Sequence, residues 1–122
     1  MRARLPQGAK VPGGGDISSL TRKAQKMQDD IKKVQEKISE EEFTEIVGDG
    51  RVTVVALGDR SVQSIRFSDE LKADLKADAD SALDEVEDLV TAAVNAVLDK
   101  IDAETEARIE EVTDGLSIPG IL

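Results

Sequence analysis

Residues 16–39 read DISSLTRKAQKMQDDIKKVQEKIS, and the spacing of their apolar side chains decides the fold. These fall at Ile17, Leu20, Ala24, Met27, Ile31, Val34 and Ile38, at intervals of 3, 4, 3, 4, 3 and 4. An α-helix brings such positions to one side, so they form a narrow heptad seam. A stripe this narrow buries poorly against a small sheet and well against another helix. It predicts helix pairing, inside the chain or between two copies of it. Asp16 stands just before the pattern, where an N-cap carboxylate suits the positive end of the helix dipole, so the helix is expected to begin there.

Upstream, residues 1–15 (MRARLPQGAKVPGGG) contain two Pro, four Gly and three cations without an acid, the composition of a flexible basic tail. Downstream the period shortens. Phe43–Val47, Arg51–Leu57 and Ser61–Phe67 are β-rich runs joined by Gly48-Asp49-Gly50 and Gly58-Asp59-Arg60, short connections that close hairpins. An antiparallel three-stranded meander is expected, with both faces of the middle strand partly apolar. One face would meet the helices, and the other a second subunit or solvent.

From Asp69 to about Asp114 no Pro or Gly interrupts the chain. Ser68 can cap a short helix or turn near 69–76. A long helix is predicted over about 80–113, with an apolar stripe of Leu83, Val86, Val90, Val94, Val97 and Ile101, widened by Leu89, Ala93 and Leu98. Gly115 suits the end of that helix, and Pro119 prevents it from resuming. The expected class is α+β: a single domain over 16–122 behind the tail. The apolar residues Leu116, Ile118, Ile121 and Leu122 read as a tail docked onto the core, or as a ligand for another protein.

Composition bounds the chemistry. In 122 residues there is no Cys, His, Trp or Tyr, which removes thiolate and imidazole catalysis, disulfides and the commonest transition-metal ligands. Val, Ile, Leu and Phe together number 33, enough for a modest aliphatic core. No apolar run is long enough to span a membrane, and no apolar leader segment follows the basic start. A soluble intracellular protein is expected. Gly13-Gly14-Gly15 lacks the Lys-Ser/Thr of a phosphate loop, and Asp78, Asp80 and Asp84 lack the Gly and Glu of a calcium loop. Neither a cofactor nor a metal is called for, and no constellation suggests an enzyme.

The net charge of −10 conceals a gradient. Residues 1–37 carry net +5, residues 38–68 net −3, and residues 69–122 net −12. A polyanion therefore has one candidate surface, the N-terminal third. At 100° per residue, Arg22, Lys26, Lys33 and Lys37 lie within about 60° of one another, opposite the seam and over about 22 Å. Such a row suits phosphate contacts that take little notice of base sequence. The same row also reads as an ordinary solvated face, part-neutralised by i, i+4 pairs from Lys26 to Asp30 and from Asp29 to Lys33. The tail cations Arg2, Arg4 and Lys10 have no acid beside them and could add phosphate contacts or simply solubilise the terminus. The acidic residues of 69–114 are either a soluble helix face or a partner for the basic helix of a second copy.

Three segments resemble one family. Ser19-Leu20-Thr21-Arg22-Lys23-Ala24-Gln25-Lys26-Met27-Gln28, followed by Val34-Gln35-Glu36, resembles the first helix of the YbaB/EbfC family of bacterial nucleoid-associated proteins. Asp84–Ala96 (DEVEDLVTAAVNA) is similar to that family's last-helix pattern, and Val112–Gly120 (VTDGLSIPG) to its C-terminal ending. The resemblance implies a cytoplasmic, nucleoid-associated homodimer, tweezer-like in shape, that binds double-stranded DNA with little or modest sequence preference and influences nucleoid organisation and gene expression. It points to Arg22, Lys23 and Lys26 as DNA-contacting positions, with Lys33 and Lys37 behind them and only Lys100 and Arg108 available on the last helix. The alternative is a dimeric protein-interaction module with weak or no DNA binding.

Overall fold

The computed structural model describes residues 12–113, with side chains from Ile17 onward. Helix α1 (Pro12–Ser39) leads into strands β1 (Glu42–Val47), β2 (Val52–Leu57) and β3 (Val62–Phe67), followed by helices α2 (Asp69–Ala77) and α3 (Ala79–Thr113). The expected α+β order is present. Helix α1 starts at Pro12, so Asp16 lies within the helix and does not cap it. Proline suits a first helical position because its φ is preset and its missing N–H has no intrahelical partner to lose there. Residues 1–11 and 114–122, which hold most of the basic tail, the expected Gly115 cap and the apolar ending, lie outside the described residues.

The strands form an antiparallel sheet in the order β1-β2-β3, with Val47 opposite Val52 and Phe67 opposite Val52 on the other side. The first turn puts Gly48, Asp49 and Gly50 at positive φ, a conformation that glycine adopts without penalty. A register shift at Val55/Ala56 bends the β2–β3 pairing. One face of β2 (Val52, Val54 and Ala56) is fully buried with Phe43 of β1. Ala93, Val97 and Ile101 of α3, Leu71 of α2 and Ile38 of α1 complete this core. Burying each large aliphatic side chain contributes about 1.5–3 kcal/mol, so a core without Tyr or Trp suffices for this sheet.

Two local devices set the helices. Ser68 caps α2, its Oγ accepting the Leu71 N–H at 3.1 Å. Gly58 lies so close to the last turn of α1 that a Cβ there would sit 1.9 Å from the Ile38 carbonyl oxygen. Its N–H donates to the Glu41 carbonyl at 2.9 Å, which fixes the exit of α1 against the second hairpin. The apolar stripe of α3 differs from expectation at its start: Leu83 is exposed and Ala82 is buried. Helix α2 packs against α3.

Helices α1 and α3 leave the sheet together. Ile38 and Ile101 sit in the sheet core, while Ile31, seven residues earlier, and Ile109, eight residues later, are buried outside it where the two helices pack. The seam on α1 is thus covered by α3 from Ile38 back to Ile31, with Val34 and Met27 half-buried. Toward the N-terminus that cover ends: Leu20 is 62% and Ile17 64% exposed.

Candidate nucleic-acid interface

Helix α1 holds Arg22, Lys26, Lys33 and Lys37 on the side away from its seam, with Lys23 at the seam's edge. Arg22, Lys23, Lys26, Lys33 and Lys37 are all exposed, as is Lys32 on the flank. Their placement follows from the heptad pattern: once the seam is turned inward, the other helix positions must face water. Lys26 Nζ lies 2.9 Å from Asp30 Oδ2, and this hydrogen-bonded partner raises the lysine pKa above its ordinary value. The other expected pair, Asp29 with Lys33, is not formed. Among the described residues, Arg22, Lys23, Lys32, Lys33 and Lys37 have no carboxylate within ion-pairing distance.

Arg66 of β3 and Lys72 and Lys76 of α2 are likewise exposed without an ion pair among the described residues, but Arg51, Arg60, Lys100 and Arg108 behave differently. The Arg108 guanidinium grips both carboxylate oxygens of Glu41 at 2.7 Å and also reaches Glu104 at 2.7 Å. The Glu41 hydrogen bonds, then those from Glu104, raise the Arg108 pKa further, and the same contact holds Glu41 below the usual carboxylate range. Arg51, at the start of β2, meets Glu70 at 2.8 Å and Asp74 at 2.6 Å on α2, and Glu85 at 2.8 Å on α3. The hydrogen bond to Asp74 is the main cause of its raised pKa. Arg60 pairs with Asp102, and Lys100 donates to the Thr44 carbonyl at 2.9 Å. Lys100 and Arg108, the only cations α3 offered for DNA, are therefore occupied in tying α3 to β1 and to the end of α1.

Sequence reading missed Arg51 and Arg108 as structural ties. For Arg108 a local signal existed, the i, i+4 spacing from Glu104. For Arg51 none did, because its partners lie 19, 23 and 34 residues away. The carboxylates of α3 that remain exposed, among them Asp80, Asp84, Glu87, Asp88, Asp99 and Glu106, make that helix repulsive to a polyanion. The arrangement thus has two electrostatic sides, a cationic row on α1 and an acidic one on α3. The seam residues Ile17, Leu20, Ala24, Met27, Ile31, Val34 and Ile38 do not act as one unit: α3 takes the C-terminal end, and Ile17, Leu20 and Ala24 stay exposed. Arg2, Arg4 and Lys10 lie outside the described residues.

Among the described residues, no helix is long and apolar enough to cross a membrane, and no group of three or more acidic side chains is arranged to hold a metal ion. A model of the YbaB/EbfC DNA-binding family matches residues 13–116. A nucleoid-associated protein of Acetivibrio thermocellus is 40% identical over 112 residues, covering 90% of this chain and 94% of the relative. One from Clostridium acetobutylicum is 33% identical over 109 residues, covering 89% and 92%. A third, from Xanthomonas campestris, is 32% identical over 105 residues, covering 86% and 92%.

Proposed function

The chain belongs to the YbaB/EbfC DNA-binding family, and from that premise we propose that it is a non-enzymatic, homodimeric nucleoid-associated protein that holds double-stranded DNA through its phosphates. One observation supports the reading: α1 carries a row of exposed cations of which only Lys26 is ion-paired, whereas Arg51, Arg60 and Arg108 are committed to carboxylates, and the other exposed cations without an ion pair among the described residues, Arg66, Lys72 and Lys76, lie outside that row. Arg22, Lys23, Lys26, Lys33 and Lys37 make the contacts, and Arg2, Arg4 and Lys10 add to them from the tail. Duplex DNA carries one charge per roughly 1.7 Å of axis, so the row of about 22 Å passes on the order of a dozen phosphates. Lysine recognises charge and not base edges, which gives little sequence preference. Two-fold symmetry doubles the row. The names of the relatives support a place at the nucleoid, in the cytoplasm, where such binding influences DNA organisation and gene expression.

Titrating a labelled duplex with the protein at several salt concentrations, with light scattering for the mass, tests this directly. A dimer whose affinity falls steeply with salt supports it. A dimer with no binding at low salt, but with a protein partner captured through the acidic face of α3, supports the interaction-module reading instead.

A further inference from the structure

The two edges of the sheet are finished differently. On β1 the Gly58 N–H donates to the Glu41 carbonyl, and by the alternation of an antiparallel ladder Glu42, Thr44 and Ile46 turn their backbone groups away from β2. Lys100 Nζ takes the Thr44 carbonyl at 2.9 Å, and the strand carries Glu42 and Glu45. A plugged carbonyl and repeated charge keep an edge from recruiting another strand. On β3 the Ser68 N–H donates to the Arg51 carbonyl at 2.8 Å, so Arg66 and Ser64 bond inward while Phe67 and Ile65 present their N–H and C=O groups outward. No described element pairs with that side. Val62 and Ile65 are each 40% exposed, although Ala56 and Val54 opposite them on β2 are fully buried. Helix α3 packs chiefly on β1 and β2, and the helix layer stops short of this edge.

We propose that the open edge is the dimer contact: β3 pairs antiparallel with β3 of a second copy about a two-fold axis perpendicular to the sheet, joining two three-stranded sheets into one of six strands. The proposal rests on the homodimer reading above and gives it a surface. Charge selects a second copy as the occupant. A chain of net charge −10 repels its own kind, so two copies meet most readily where acid is absent, and residues 61–67 contain none. Their one charge, Arg66, sets the register. An axis near Ser64 and Ile65, the middle of the strand, puts Arg66 opposite an uncharged residue and away from its own equivalent. The same axis gathers Val62 and Ile65 of both copies on the helix side, so backbone hydrogen bonds and apolar burial act at one contact. Because the patch pairs with itself, assembly closes at two copies.

The chain has no cysteine, so a single introduced thiol reports on its neighbours without background. Treated with a short bis-maleimide in the absence of DNA, Ser64→Cys is expected to run largely as a covalent dimer on a denaturing gel, and Thr44→Cys, on the plugged edge, as a monomer. In sedimentation equilibrium, the Val62→Lys, Ile65→Lys variant is expected to raise the dimer dissociation constant at least 100-fold with its helical circular dichroism retained. A monomeric parent would overturn the proposal. So would an unchanged dissociation constant, or covalent dimers from Thr44→Cys and none from Ser64→Cys; either would assign the dimer to another surface, such as the α1 seam against the acidic α3 of a second copy. None of these readouts uses DNA, so the pairing of β3 and the phosphate-contact reading fail separately.

Discussion

The two ends of α1 share one heptad seam, yet only one of them is tied into the fold, and there the tie comes from an arginine of α3. At the C-terminal end the seam is buried under α3, Gly58 presses on the Ile38 backbone, and Arg108 clamps Glu41 just past the helix. At the N-terminal end Ile17 and Leu20 are exposed, and Arg22 and Lys23 face water. The difference is one of partners, not of residue type. A cation opposite carboxylates from another element has its charge spent on the fold, and one with only water before it can exchange that water for phosphate.

The largest expected effect falls on the buried end. Gly58→Ala would drive a Cβ into the Ile38 carbonyl, and the backbone has no flexible neighbour to yield; a loss of at least about 3 kcal/mol is expected from urea unfolding. A variant as stable as the parent would mean that α1 is not fixed at this contact.

Next come the arginine ties. Arg51→Met leaves Glu70, Asp74 and Glu85 facing one another, and Arg108→Met strands Glu41 and Glu104. Both variants should melt at clearly lower temperature, while the affinity of the folded protein for DNA stays within about twofold because no phosphate-facing cation is lost. If Arg108→Met kept its melting temperature and lost DNA binding, the division of roles would be reversed.

A smaller effect is written in pH. Arg108 lowers the pKa of Glu41 in the folded protein below its ordinary 4.5. The pair therefore contributes its full stability above the unfolded value, and that contribution is lost as pH falls through the folded one. Thermal melts between pH 6 and pH 3 should show a decline that is shallower in Arg108→Met, where the carboxylate loses its partner. An identical decline in the two proteins would remove Glu41 from the acid response. Smallest of all is Lys26→Gln, which breaks one exposed pair with Asp30 and should move the melting temperature by no more than about 1 °C.

Much of this was legible in the sequence because it is periodic. The first helix, the three short β runs with their Gly-containing turns and the Ser68 cap each rest on residues within one or two turns of one another, and the structure contains all of them, whereas the seam is covered only from Ile38 back to Ile31. The start of α1 was not legible: Asp16 has every property of a cap, but Pro12 offers an earlier start, and the two compete within four residues. Leu83 is exposed where the periodicity of α3 put it in the stripe, and Ala82 is buried instead, at an end of the helix where tertiary contacts outweigh period. For the candidate interface, the row of cations followed from spacing alone. Which basic residues were already occupied did not, since apart from the local Arg108–Glu104 pair the partners of Arg51, Arg60 and Arg108 sit 19 to 67 residues distant.

The most direct measurement is the salt dependence of DNA affinity for the parent and for Arg22→Gln, Lys26→Gln, Lys33→Gln, Lys37→Gln combined. Each lost phosphate contact should flatten the slope of log K against log salt by about 0.9, so four contacts per protomer would weaken binding at low salt on the order of 100-fold on every sequence tested. Equal slopes and equal affinities would show that the row on α1 does not touch the phosphates.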